Sequence, residues 1–244
     1  MNDNILEVLE ATKVFGGLRA VNGVTFSVRQ GEMLGIAGPN GSGKSTLFNL
    51  ITGVPFGPTS GEIRFKGERV DRWPAFRIAR SGLLRTFQKD AEFPDLSATE
   101  TLTVCATYNA RLARLQAAQK ADEALAIVKF DPQRSRLPSR YLSVYEKKQL
   151  MIASALVSDP ALLMLDEPAS GLTKPEIEQL DELLVAINKR GVTVLLIEHV
   201  LSLLLSVSER LIVLNQGKVL AEGKPEEVVG NPDVITAYLG GRTS

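Results

Sequence analysis

Residues 38–45 read GPNGSGKS, a match to G-x-x-x-x-G-K-[ST]. They lie between an apolar run, EMLGIAG (32–38), and a stretch of helix formers, KSTLFNLITG (44–53). Glycines at these places let backbone N–H groups curl around phosphate oxygens, and a helix N-terminus adds the positive end of its dipole. Lys44 would bring a point charge to the outer phosphates, and the Ser45 hydroxyl would reach Mg²⁺. A glycine-rich turn that merely caps a helix is the competing reading, and the strand-then-helix setting weighs against it.

LLMLDEP (162–168) adds the acids such a site needs. An apolar strand would deliver Asp166 to its C-terminal end beside the loop, where the carboxylate can hold Mg²⁺ through water. Glu167 follows directly and can polarise an attacking water as general base. Any strand can end in acids, so the segment gains its meaning from standing downstream of a phosphate loop. His199 is the only histidine. A lone histidine is more often structural than catalytic. This one ends the run TVLLIEH (193–199), at the same edge as Asp166 and Glu167 if the strands are parallel, which favours a γ-phosphate contact.

Those residues require a particular set of elements. Short β-rich runs come first: ILEVLEATKVF (5–15), VNGVTFSVRQ (21–30) and EMLGIAG. Alternation in GVTFSV predicts half-exposed antiparallel strands, and GEIRFKGERV (61–70) reads as a further hairpin. From about Leu96 to Arg140 apolar residues recur at three- and four-residue spacing, which predicts helices. PALLMLDEP and GVTVLLIEH are continuous apolar runs flanked by helical patterns at 146–158 and 175–190, as buried parallel strands are. RLIVLNQGKVLAEG (210–223) predicts a closing hairpin turning at Asn215–Gly217. The fold expected is α/β: a P-loop NTPase core, an antiparallel β subdomain, and an α-helical subdomain inserted at about 90–145 in one domain spanning 1–244.

Composition narrows the function classes. Lys+Arg and Asp+Glu are equal at 28 each, which argues against a nucleic-acid binder, since those carry a basic excess. The single cysteine, Cys105, excludes an internal disulfide and fits a reducing compartment. MNDNILEVLE lacks a basic region followed by an apolar one, so no export signal is expected, and the apolar runs are too short to span a bilayer.

Together these segments resemble the nucleotide-binding subunits of ABC transporters. The resemblance covers essentially the whole chain in the family's order: GPNGSGKS, the glutamine of RTFQ (85–88), YLSVYE (141–146), LLMLDEP, the SGL turn (170–172) and IEH (197–199). VFGGLRAVNGVTFSV (14–28) and GKPEEVVGNPDVITAYLG (223–240) narrow it to the ATP-binding subunits of branched-chain amino-acid importers and close urea, amide or carboxylate relatives. The resemblance implies ATP and Mg²⁺ as cofactors, with hydrolysis coupled to uptake of a small solute. It implies that Phe15 stacks on adenine and that Gly38, Pro39, Asn40, Gly41, Ser42, Gly43, Lys44, Ser45 and Thr46 hold phosphates and metal. Gln88 would reach Mg²⁺ or the attacking water, Ser170–Leu172 would face a second subunit, and His199 would touch the γ-phosphate. The partners implied are a second ABC ATPase, a paralogue or an identical chain; permease subunits docked on the helical subdomain; and, indirectly, a periplasmic or extracellular binding protein. The chain would then sit on the cytoplasmic face of the membrane, peripheral through the permease. A soluble ABC-type ATPase of assembly or genome maintenance would instead show a coiled-coil insertion or a basic surface, and neither is visible.

YLSVYE is the departure. In the family it would be the LSGGQ segment, opening a helix that meets the partner's γ-phosphate. Ser143 is kept, but Tyr145 stands at the second glycine, where backbone should approach phosphate closely. Two outcomes stay open: an impaired signature that binds ATP yet hydrolyses poorly, or a tolerated variant whose ring swings aside. Ser143-x-x-Glu146 is also a capping box, which would start this helix whether or not ATP came near.

Overall fold

The computed structural model describes residues 3–86, 93–109 and 112–240. Gln88 lies outside the described residues.

Two sheets enclose one helix. β1 (Asn4–Phe15) and β2 (Leu18–Arg29) form an antiparallel hairpin, and β4 (Ser60–Phe65) with β5 (Glu68–Arg69) extends it in the order β2-β1-β4-β5. This is the antiparallel front portion that alternation predicted. The second sheet runs β10-β9-β3-β8-β7-β6. In it β3 (Met33–Ala37), β6 (Leu83–Arg85), β7 (Leu162–Asp166), β8 (Thr193–Ile197) and β9 (Arg210–Asn215) are parallel, while β10 (Lys218–Gly223) closes antiparallel on β9.

Every residue of β3, β7 and β8 is buried. That explains runs without alternation: both faces of the strand are covered. Ile36, Met164 and Leu195 face α1 (Lys44–Thr52), which presents Leu47, Phe48, Leu50 and Ile51 to them in the apolar layer between the sheets. Leu163, Leu165 and Leu196 face the opposite way, toward α5 (Val144–Leu156) and α6 (Lys174–Lys189). Truncating one of these leucines to alanine would cost about 2–5 kcal/mol.

α3 (Ala98–Asn109) and α4 (Arg114–Ile127) fall inside the stretch read as helical. Their apolar stripes, Ala98–Leu102–Ala106 and Ala117–Ala121–Ala124, are mostly small and buried in the same layer as α5. α3 starts on a capping box, with the Ser97 N–H and hydroxyl both donating to Glu100 Oε2 at 2.8 Å. α2 (Ala75–Arg80), α7 (Leu201–Val207), α8 (Pro225–Val229) and α9 (Pro232–Gly240) complete the chain. Among the described residues, no helix is long and apolar enough to cross a membrane.

Candidate nucleotide site

The chain leaves β3 at Ala37 and enters α1 at Lys44, so the intervening loop sits at the C-terminal edge of the parallel strands. Gly43 precedes the helix with φ 106°, and a Cβ there would stand 2.4 Å from the Ala20 carbonyl oxygen. Only glycine fits. No side chain caps α1 and its first turn carries no acid, so its N-terminal N–H groups remain open to an anion. The Lys44 ammonium folds back on its own loop and donates to the carbonyl oxygens of Gly38 at 2.8 Å and Pro39 at 3.1 Å. Burial lowers the Lys44 pKa, and the charges of Glu167 and Asp166 oppose that shift.

Asp166 ends β7, paired in register with Ile197 of β8. Its Oδ2 accepts from the Arg85 guanidinium at 2.6 Å, whereas Oδ1 is buried with no hydrogen-bond partner. The other arm of Arg85 donates to Asn49 Oδ1 on α1 at 2.7 Å, tying the acid to the phosphate-loop helix. Glu167 takes φ 51°, a left-handed conformation costly for a side chain and common where function requires it. Its N–H donates to the Ile197 carbonyl at 2.9 Å, and its Oε1 lies 2.8 Å from His199 Nε2. The parallel register therefore brings the general-base candidate and the sole histidine to one edge.

Between them lies a pocket of about 710 Å³ lined by Phe15, by the loop from Asn40 to Thr46, and by Glu167 and His199. Phe15 is 42 % exposed and packs edge-on against Phe56 with centroids 5.1 Å apart, so one ring face is available for stacking. Gly38, Pro39 and Asp166 are not part of this lining, and neither is Ser143, the residue that caps α5. The residues present suit a magnesium ion: Mg²⁺ keeps most of its waters and takes one or two protein oxygens plus phosphates. The Ser45 hydroxyl and the orphaned Asp166 Oδ1 are such a set, and among the described residues no cluster of three or more His, Cys, Asp or Glu offers an all-protein cage.

A profile of the ABC transporter family matches residues 21–170, and one for branched-chain amino acid ATP-binding cassette transporters matches residues 218–243. A high-affinity branched-chain amino acid transport ATP-binding protein of Pseudomonas aeruginosa is 40% identical, over 98% of this chain and 99% of its own length. The chain belongs to the ATP-binding proteins of ABC transporters. A counterpart in Escherichia coli, also a high-affinity branched-chain amino acid transport ATP-binding protein, is 38% identical over 98% of this chain and 99% of its own. A nucleotide-free ATP-binding cassette from an ABC transporter superposes with a TM-score of 0.88 at 27% identity, covering 96% of this chain and 98% of that one. The fold is thus that of the ABC ATPases, and ATP is the nucleotide of the family.

The start of α5, where an ABC ATPase carries its signature, is built differently from the phosphate loop. Ser143 caps the helix: its hydroxyl accepts from the Glu146 N–H at 3.2 Å, and the Ser143 N–H donates to Glu146 Oε2 at 2.6 Å. Arg134 grips the same carboxylate with two bonds, at 2.6 Å and 2.7 Å. That grip holds the Glu146 pKa down at about 2. The Tyr145 ring lies against the apolar core, and burial together with the carboxylates of Glu182 and Glu176 on α6 raises its pKa. The side chain is therefore aside, and Val144 is the exposed residue of that turn.

Several site residues were missed from sequence. Arg85 gives no signal, because nothing in RTFQ says that its first residue crosses to Asp166. Glu198, 2 % exposed, accepts from the N–H groups of Ala169 at 2.6 Å and His199 at 3.0 Å, joining the segment after Glu167 to the histidine. Its pKa is raised, by burial first. Its place between two candidate residues in IEH was the available hint. Gly217, in the β9–β10 turn, donates to the Ser42 carbonyl at 2.9 Å and braces the loop from the side.

Proposed function

We propose that this chain is the ATP-hydrolysing subunit of an importer for branched-chain amino acids or a chemically close small solute. The observation that carries the reading is the Glu167–His199 contact of 2.8 Å at the mouth of the phosphate-loop pocket. In this reading Gly38–Thr46 and Phe15 bind MgATP, with Ser45, Asp166 and Gln88 on the metal side. Mg²⁺, when bound, spreads the phosphate charge; Glu167 accepts the proton of the attacking water, and His199 orients that carboxylate and meets the γ-phosphate. The solute class follows the function of these relatives and the match at residues 218–243.

The sandwich partner is a second ABC ATPase, whose phosphate loop would face Ser143 and the Ser170–Leu172 turn; a related cassette is described as dimeric with ADP and Pi, at a TM-score of 0.81 and 25% identity. The helical subdomain, 90–145, offers a docking surface for the permease. Phe76 and Tyr108, 62% and 73% exposed, line a groove of about 550 Å³ together with Leu84 and Leu112. Such aromatic exposure beside a helical layer suits an amphipathic helix of a membrane subunit. Mutual closure and opening around ATP would bias that subunit between its two accessible states. Docking places the chain at the cytoplasmic face and leaves the solute to an outer binding protein.

The test uses vesicles holding the chain with its second ATPase and permease subunits, with the solute-binding protein supplied on the outer side. ATP-dependent uptake of labelled leucine, isoleucine or valine is expected, with Glu167→Gln abolishing it. Uptake that none of the three competes for would overturn the solute class; ATPase activity unchanged in Glu167→Gln would overturn the catalytic reading.

A further inference from the structure

The C-terminal segment matched at residues 218–243 takes no part in the chemistry above. Its two helices, α8 and α9, each begin on a proline, Pro225 and Pro232, and bury Val228 and Val234 against the apolar layer under the second sheet. α9 thereby ends where β3 passes into the phosphate loop. There the Gly38 N–H donates to the Tyr238 hydroxyl at 2.8 Å, from 200 residues away in sequence. The ring borders a small apolar cleft with Ala37 and Val213, both buried.

Gly38 decides the direction in which the loop departs. It takes φ 143°, and a Cβ there would stand 2.2 Å from the Leu214 carbonyl oxygen. Its own carbonyl holds the Lys44 ammonium at 2.8 Å. One residue thus anchors the loop lysine through its oxygen and the C-terminal helix through its nitrogen. Burial raises the Tyr238 pKa, while the Gly38 N–H bond pulls it the other way.

We propose that Tyr238 is a positioning residue of the nucleotide site, through which the C-terminal helix fixes the departure of the phosphate loop and so sets the affinity for MgATP. The hydroxyl is the only part of the tyrosine that the role requires; the ring merely packs. This rests on the loop being a nucleotide cradle, which is why one arm of the test needs no nucleotide.

Tyr238→Phe in the full-length chain keeps the ring and removes the hydroxyl. Without nucleotide, deuterium exchange at the peptide covering 37–46 should accelerate relative to wild type. With nucleotide, the Kd of a fluorescent ATP analogue and the KM for MgATP should rise about five-fold, the scale of one lost hydrogen bond, while kcat holds. A purely structural tyrosine would lower the thermal midpoint and leave loop exchange and KM as they were, and that result overturns the proposal. So does a fall in kcat at constant KM. In the wild-type chain the Gly38 amide should exchange more slowly than that of Gly41; equal rates would also sink the idea. Should the wild type bind no ATP at all, the nucleotide reading fails, yet the exchange contrast would still report on the Tyr238 bond.

Discussion

α1 and α5 both begin where an ABC ATPase needs a helix N-terminus aimed at phosphate, and they are finished in opposite ways. α1 is entered from Gly43 with no capping side chain and no acid in its first turn. α5 is closed by a reciprocal capping box, and its acid is clamped by Arg134. An uncapped helix end gives up about 1 kcal/mol of local stability, which an incoming phosphate can restore. A self-capped end is already satisfied, and an anion arriving there finds the Ser143 and Glu146 N–H groups engaged. The two halves of one chain's nucleotide chemistry therefore differ in where their stability comes from: ligand at α1, protein at α5.

The sharpest way to break that comparison acts on the α1 side. Lys44→Ala should weaken MgATP binding more than tenfold, because the loop loses its one deeply placed cation. Glu167→Gln should keep binding and lower turnover by about 10²-fold or more, the usual range for a lost general base. Equilibrium binding and steady-state hydrolysis on the purified chain separate the two. ATP-induced dimers should accumulate in the Glu167→Gln variant and be absent without nucleotide, as light scattering would show. A dimer that forms regardless of ATP would count against a nucleotide-built interface.

A smaller effect belongs to α5. Glu146→Gln removes a negative charge at the start of α5 and releases Arg134, and both changes favour an incoming γ-phosphate. ATPase activity of the chain alone should rise several-fold, with about 1.4 kcal/mol corresponding to each tenfold step. Tyr145→Gly should gain less than this, because the ring already packs against the core and its loss removes that packing and puts a glycine in the first turn. If Tyr145→Gly proves the faster of the two, the ring and not the carboxylate is the obstacle, and the contrast between the two helix ends is misdrawn.

How much of this could be read in the sequence depended on whether a residue's role was local. GPNGSGKS, LLMLDEP and the run into His199 are contiguous patterns whose chemistry follows from their own spacing, and the structure places Lys44, Glu167 and His199 on one pocket. The capping box of Ser143 and Glu146 was equally legible, since its partners are three residues apart. Arg85 on Asp166 spans 81 residues and Tyr238 on Gly38 spans 200, and no periodicity encodes a contact across a sheet. The direction of the Tyr145 ring was undecidable for the same reason: it depends on α6, a separate element packed beside it. β6 was overlooked because three residues, Leu83–Arg85, are too few to show a pattern.

The smallest predicted effect tests the α5 clamp by acid. Glu146 falls from an ordinary 4.5 to about 2 in the folded chain, with the Arg134 bond as the largest cause. A carboxylate whose folded pKa is depressed binds fewer protons than its unfolded counterpart across that window. Its contribution is therefore complete above about pH 4.5 and is lost as pH falls toward 2. The unscreened shift would overstate the effect, because Arg134 is 36% exposed; about 1 kcal/mol is the expected contribution after screening. Glu32, Asp71, Glu100 and Glu176 are lowered too and lose stability in the same direction, while the raised pKa of Glu198 works the other way. Total acid stability is then uninformative, and the difference between wild type and Glu146→Gln is what must be measured. Urea unfolding of both should show wild type ahead near neutral pH and the gap closing between pH 4.5 and 2. A gap that stays constant across the window would mean that the carboxylate is not held by Arg134, and the contrast with α1 would then rest on the Ser143 hydroxyl cap alone.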